Sequence, residues 1–93
     1  MSDLKRRFKV FIKTRPCCVC SAPPPNDFCH FTKRGYGGMG MKGSDFLALP
    51  MCHKHHMEQH SLGMNSFQHK YNSVDLQWEV MLHLVKFIEG ISR

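Results

Sequence analysis

Between Arg7 and Lys13 the apolar residues Phe8, Val10 and Ile12 alternate with Lys9, Phe11 and Lys13. A period of two predicts a strand there, with residues 1–6 as a mobile basic arm. Pro16 ends that strand and presents Cys17-Cys18-Val19-Cys20 on a turn. Ala22-Pro-Pro-Pro-Asn-Asp27 is a loop, because its prolines exclude helix. Phe28 to Phe31 is short, aromatic and strand-like. Five glycines between Lys33 and Gly43 impose a flexible loop. Asp45 to Leu49 predicts a second strand, pairing with 28–31 as a hairpin and ended by Pro50. From His53 the spacing predicts a helix closing near Gly63, and Asn65 to Tyr71 a short helical turn.

Ser73 is a suitable N-cap, with Asp75 in the first turn of a helix running to about Ile91. Its polar stripe is Glu79, His83, Lys86 and Gly90, and nearly everything else is apolar. A core of this size does not cover so wide an apolar face. The helix therefore either wraps the domain closely or forms a homodimer contact.

Ninety-three residues make one domain with a modest core, so an additional staple is expected. Five cysteines is an odd count, and the start Met-Ser-Asp-Leu-Lys-Arg-Arg carries no apolar signal segment. Both favour a reduced, cytoplasmic protein stapled by zinc over a disulfide framework. No stretch is apolar and long enough to span a membrane, so no membrane partner is expected. The net charge of +6 is uneven: residues 1–54 hold ten Lys/Arg against Asp3, Asp27 and Asp45, and residues 55–93 hold three against four acids. A basic first half points to a polyanion, nucleic acid before anionic lipid.

The chemistry is concentrated in Cys17-x-x-Cys20 and Cys52-x-x-His55-His56-x-x-x-His60. Structural zinc takes four tetrahedral Cys/His ligands, commonly as two short-spaced pairs, and Cys17, Cys20, Cys52 and His55 supply them. Cys18 could replace Cys17 only at a poorer chelating spacing and is set aside. His56 and His60, four apart on a helix, point the same way and suit a second metal, with His53 one turn earlier in reserve. His30 is the candidate general base, since imidazole titrates near neutral pH. Base and metal facing one phosphate would suit metal-assisted phosphodiester hydrolysis.

In this order the motifs resemble the HNH endonucleases of the ββα-metal superfamily. The run Gly37-Gly-Met-Gly-Met-Lys-Gly-Ser-Asp-Phe-Leu-Ala-Leu-Pro-Met-Cys-His-Lys-His-His is similar to small phage and prophage HNH proteins related to Ref-type, RecA-dependent recombination nucleases. The resemblance covers about residues 16–72. It implies an α+β fold: a zinc-stapled ββα-metal core over 16–72, a basic N-terminal arm or strand over 1–15, and a C-terminal helix over 73–93. It implies His30 as general base, Asp45 as the middle residue of the motif, and His56, His60 and position 29 as holders of a catalytic divalent cation. Position 29 is Cys where the family has Asp or His, and the middle residue is Asp rather than Asn. Thiolate suits Mg²⁺ poorly: either Cys29 binds a softer metal, which leaves Mn²⁺, Ni²⁺ or Zn²⁺ beside Mg²⁺, or it is a packed thiol and Asp45 completes the site. The glycine-rich loop with Lys33, Arg34 and Lys42 resembles a DNA-contacting loop. The expected activity is metal-dependent DNA cleavage in phage recombination or DNA processing, with recombination proteins as partners. The alternative is a zinc-stapled nucleic-acid-binding module without catalysis.

Overall fold

The structure, a computed structural model, describes residues 3–31 and 46–91. Its elements are α1 (Asp3–Lys13), β1 (Asp27–His30), β2 (Ala48–Met51), α2 (His53–Leu62), α3 (Met64–Lys70) and α4 (Leu76–Ile91). The fold is α+β, as expected, with a two-stranded antiparallel sheet and four helices. The register pairs Asp27 with Met51, Phe28 with Pro50, Cys29 with Leu49 and His30 with Ala48. No helix among the described residues is long and apolar enough to cross a membrane.

The two-stranded ribbon separates two apolar clusters. Cys29, Phe31, Leu49 and Met51 meet Cys17, Met64, Phe67, Leu76 and Val80 on one side. Ala48, with Phe28 and Phe46, meets Phe8, Ile12 and Phe87 on the other. Successive strand residues point to opposite faces, so Cys29 and Phe28 serve different clusters. The four-residue strands could not stand alone in water; packing on both faces stabilises them.

Three elements differ from expectation. The segment from Arg7 to Lys13 is helical, because Phe8, Phe11 and Ile12 also fit one helix stripe at i, i+3, i+4. Phe8 and Ile12 are 0% exposed, whereas Val10, the middle of the expected alternation, is 58% exposed. The second strand lies three residues later than expected and contains Pro50. Proline is tolerated because β2 is an edge strand, and the Pro50 carbonyl accepts the Cys18 N–H at 2.9 Å. The last helix begins at Leu76, capped by Asp75, whose Oδ1 accepts the Trp78 N–H at 3.0 Å. The polar stripe of α4 is not its outer face: His83 is 5% exposed and Trp78 is 52% exposed. His83 satisfies Nδ1–H on the Glu79 carbonyl at 2.7 Å.

Polar side chains set the corners. The Asn26 amide donates to the Arg15 carbonyl at 2.8 Å and the Ala22 carbonyl at 3.1 Å, tying the end of α1 to the cysteine turn. Gln68 donates to the Tyr71 and Val74 carbonyls and accepts the Leu76 N–H at 2.8 Å, fixing the turn into α4. Gly63 joins α2 to α3 at φ 83°, ψ 156°, a conformation open essentially to glycine alone.

Candidate metal centre

Cys17 and Cys20 sit on a turn closed by Ser21 N–H to the Cys17 carbonyl at 2.8 Å and Cys17 N–H to the Ala22 carbonyl at 3.0 Å. Cys52 leads directly into α2, which places His55 one turn inside it. The ligand atoms of Cys17, Cys20, Cys52 and His55 lie within 4.8 Å of one another. Bond lengths of about 2.3 Å to sulfur and 2.0–2.1 Å to nitrogen imply tetrahedron edges of roughly 3.8 Å (S···S) and 3.6 Å (S···N). The observed separations bracket these values: Cys20 Sγ to Cys52 Sγ is 3.9 Å, Cys52 Sγ to His55 Nδ1 is 3.2 Å, and Cys17 Sγ to His55 Nδ1 is 4.0 Å. The four expected ligands come together as a set that fits a structural metal such as zinc.

The surroundings suit thiolate ligands. Burial pushes the Cys17 thiol up, but the backbone N–H groups of Cys52, Cys20 and Val19 outweigh it and leave it below its ordinary value. Cys20 is drawn down by the Ala22 backbone, yet burial and the Cys17 sulfur leave it raised. Cys18 is pushed far up, first by burial and then by the Cys17 charge, consistent with a packed thiol. The buried His55 ring stands edge-on to Tyr71 at 5.3 Å and to Phe67 at 6.5 Å, two rings that pack on each other at 4.8 Å. Glu58 receives hydrogen bonds from Lys70 and Tyr71, which ties α3 back to α2 around that ring.

His56 and His60 meet on the outer side of α2, their Nε2 atoms 3.0 Å apart and ring centroids 4.7 Å apart. A separation of 3.0 Å is that of an N–H···N hydrogen bond between the rings; it also falls within the roughly 2.8–3.4 Å that two nitrogens at about 2.0–2.1 Å from one ion would keep. The strand β1 does run beside α2, but the residue it brings to His56 is Asp27. Asp27 Oδ2 accepts from His56 Nδ1 at 3.0 Å and from His53 Nδ1 at 3.0 Å. Those two bonds, His56 first, hold the Asp27 carboxyl below its usual value. An Nδ1–H donated to Asp27 leaves the His56 Nε2 lone pair facing His60, the arrangement in which a carboxylate orients a metal-binding histidine.

Of the two roles expected for Cys29, metal ligand or packed thiol, its surroundings are those of a packed thiol. It is 1% exposed, its Sγ donates to Gln59 Oε1 at 3.5 Å, and burial pushes its thiol up to about 12. His30 is exposed at the end of β1, on the side of the ribbon shared with Phe28, whose ring meets it edge-on at 4.9 Å. Asp27 and Cys29 take the side facing α2. Asp45, Lys33, Arg34 and Lys42 lie outside the described residues. The sequence reading missed Asp27 and Gln59. Asp27 follows a proline loop and bonds a residue 29 positions away, a separation that no local pattern signals.

A protein of Escherichia coli (strain K12) described as the uncharacterized protein YdfU is 40% identical over 70 residues, 75% of this chain. Those residues make up 20% of YdfU, so the chain spans about a fifth of that relative's length. No solved structure matches. The family described as "Protein of unknown function (DUF968)" matches residues 3–87. That span takes in both cysteine pairs, the α2 histidines and Asp27, and the chain belongs to the DUF968 family.

Proposed function

We propose that the chain is a zinc-stapled, metal-dependent phosphodiesterase acting on DNA, of the HNH type. The observation that carries this reading is the pair of Nε2 atoms on His56 and His60, 3.0 Å apart and backed by Asp27, immediately beyond the zinc cluster. The cluster makes the start of α2 rigid, which fixes the two imidazoles relative to β1. In this reading His56 and His60 hold a divalent cation that supplies charge stabilisation to the scissile phosphate. Asp27 fixes the tautomer and orientation of His56. His30 does not take the proton from water: it lies on the opposite side of the ribbon from Asp27 and the α2 pair, so the base expected to face the metal is not brought there. The basic first half of the chain attracts the polyanionic substrate.

The test is cleavage of a panel of DNA structures (single strand, duplex, junction, displaced loop) by the zinc-loaded chain with Mg²⁺, Mn²⁺ or Ni²⁺. Cleavage that disappears in His60→Ala while one zinc per chain is retained supports the reading. No cleavage with any cation, together with salt-sensitive binding and a single metal per chain, replaces it with the non-catalytic binding module. Cleavage is expected to survive in His30→Ala, and its loss there would overturn the separation of His30 from the metal pair.

The partner proposed for α4 is a second copy of this chain. Trp78, Met81, Val85 and Ile88 form an exposed apolar row on that helix. Light scattering of the intact chain against Trp78→Glu/Val85→Glu decides it: a dimer that becomes monomeric supports the contact, and a monomer throughout refutes it.

A further inference from the structure

The helix α1 replaces an expected strand, and it redistributes the charge that the sequence carries there. Residues 3–15 hold Lys5, Arg6, Arg7, Lys9, Lys13 and Arg15 against Asp3. On a helix of 3.6 residues per turn, Arg6, Lys9 and Lys13 fall within an arc of about 60° and span roughly 10 Å of axis. All three are exposed. Lys9 Nζ stands 5.8 Å over the Phe28 ring, whose far neighbour is the His30 ring at 4.9 Å. The cationic row therefore runs along the side of the ribbon that carries His30.

We infer that this face of α1 binds the phosphate backbone of nucleic acid, with Arg6, Lys9 and Lys13 each neutralising a phosphate. A basic amphipathic helix also fits an anionic membrane surface when its apolar face is available for insertion. Here it is not: Phe8 and Ile12 are 0% exposed, and Phe8 packs on Phe28, Phe46 and Phe87. What α1 presents outward is chiefly charge, which a polyanion complements. The inference takes its partner from the proposed function but does not need the hydrolysis.

The experiment is fluorescence anisotropy of the zinc-loaded full chain with a labelled DNA duplex, without a second cation, between 50 and 200 mM salt. Each phosphate contact contributes about 0.9 to the slope of log K against log salt on duplex DNA. Arg6→Gln/Lys9→Gln/Lys13→Gln is expected to flatten that slope by roughly 2.7. A control removing three charges elsewhere, Lys54→Gln/Lys70→Gln/Lys86→Gln, is expected to change it by less than half as much. Zinc content and circular dichroism confirm that both variants fold. An unchanged slope in the α1 variant overturns the inference, as does equal flattening in the control. So does wild-type binding to phosphatidylserine-containing vesicles without binding to DNA. DNA binding through α1 with no cleavage under any cation would sink the hydrolase reading alone; cleavage with an unaltered α1 slope would sink this inference alone.

Discussion

Asp27→Ala removes the one acceptor that His53 and His56 share. Asp27 is not among the Cys/His cluster atoms, so the first equivalent of zinc should bind as in the parent chain. The effect on folding is expected to be small, since an exposed carboxylate–imidazole pair contributes about 0.2–1 kcal/mol. The effect on the His56–His60 pair is expected to be larger. Without Asp27 Oδ2 at 3.0 Å from Nδ1, the His56 ring is free to rotate and to carry its proton on Nε2, the atom that faces His60. Loss of such an outer carboxylate typically weakens metal binding 10–100-fold, or about 1.4–2.8 kcal/mol. Isothermal titration of zinc-loaded protein with Mn²⁺ or Ni²⁺ reads the second site directly. Asp27→Asn, which keeps one acceptor but no charge, should fall between. A second-site affinity within twofold of the parent in Asp27→Ala would refute the reasoning, because the carboxylate would then have no hold on the imidazole.

Chelation of the structural metal should unfold the chain, since zinc contributes about 10–16 kcal/mol in small zinc-stabilised domains; an unchanged melting curve by circular dichroism after chelator treatment would exclude a structural role. Gly63→Ala meets no atom within 4 Å, so its cost lies in the backbone alone. That cost is about 1–3 kcal/mol, offset by roughly 0.4–1 kcal/mol from the stiffer unfolded chain. The net cost is thus at most about 2.6 kcal/mol, so the melting temperature should fall by up to roughly 20 °C, and a rise would show that the α2–α3 corner tolerates another conformation. Burial first, and then Arg15 and Lys86, hold His83 below 6.5 against the opposing pull of Glu79. A depressed histidine contributes stability that is present above 6.5 and fades as pH falls below it. Melting of zinc-loaded protein at pH 7.5 and 5.5 should show a smaller drop for His83→Gln than for the parent; equal drops would exclude His83 as a source of the pH dependence.

The four residues of the candidate metal centre were legible because each pair is local: Cys17-x-x-Cys20 and Cys52-x-x-His55 declare their geometry within one turn apiece. The helices α2 and α3 were legible for the same reason, with Gly63 punctuating them. α1 was not, because Phe8, Phe11 and Ile12 fit a helix stripe while Phe8, Val10 and Ile12 fit a strand, and only the packing of Phe8 against Phe28, Phe46 and Phe87 decides between them. β2 was misplaced because Pro50 read as a stop, whereas a two-stranded ribbon has only edges on which proline costs little. His83 read as part of a solvent stripe, yet a bond to the carbonyl four residues back satisfies it inside the fold. Gln59 carried no local signal, because its partner Cys29 lies 30 residues away in β1. His56 and His60 were legible as a pair; the carboxylate bonded to His56 and His53 was not.

The sulfur contact from Cys20 to Cys52 and the four strand pairs from Asp27–Met51 to His30–Ala48 gather both ends of the intervening chain into one small volume. Once its ends are anchored, the length of such a span is nearly uncoupled from stability, each doubling adding only about 0.6 kcal/mol. A change of length between residues 32 and 45, clear of the packed Phe31, Phe46 and Leu47, is thus expected to cost little. The scaffold can remain unchanged while that stretch diverges.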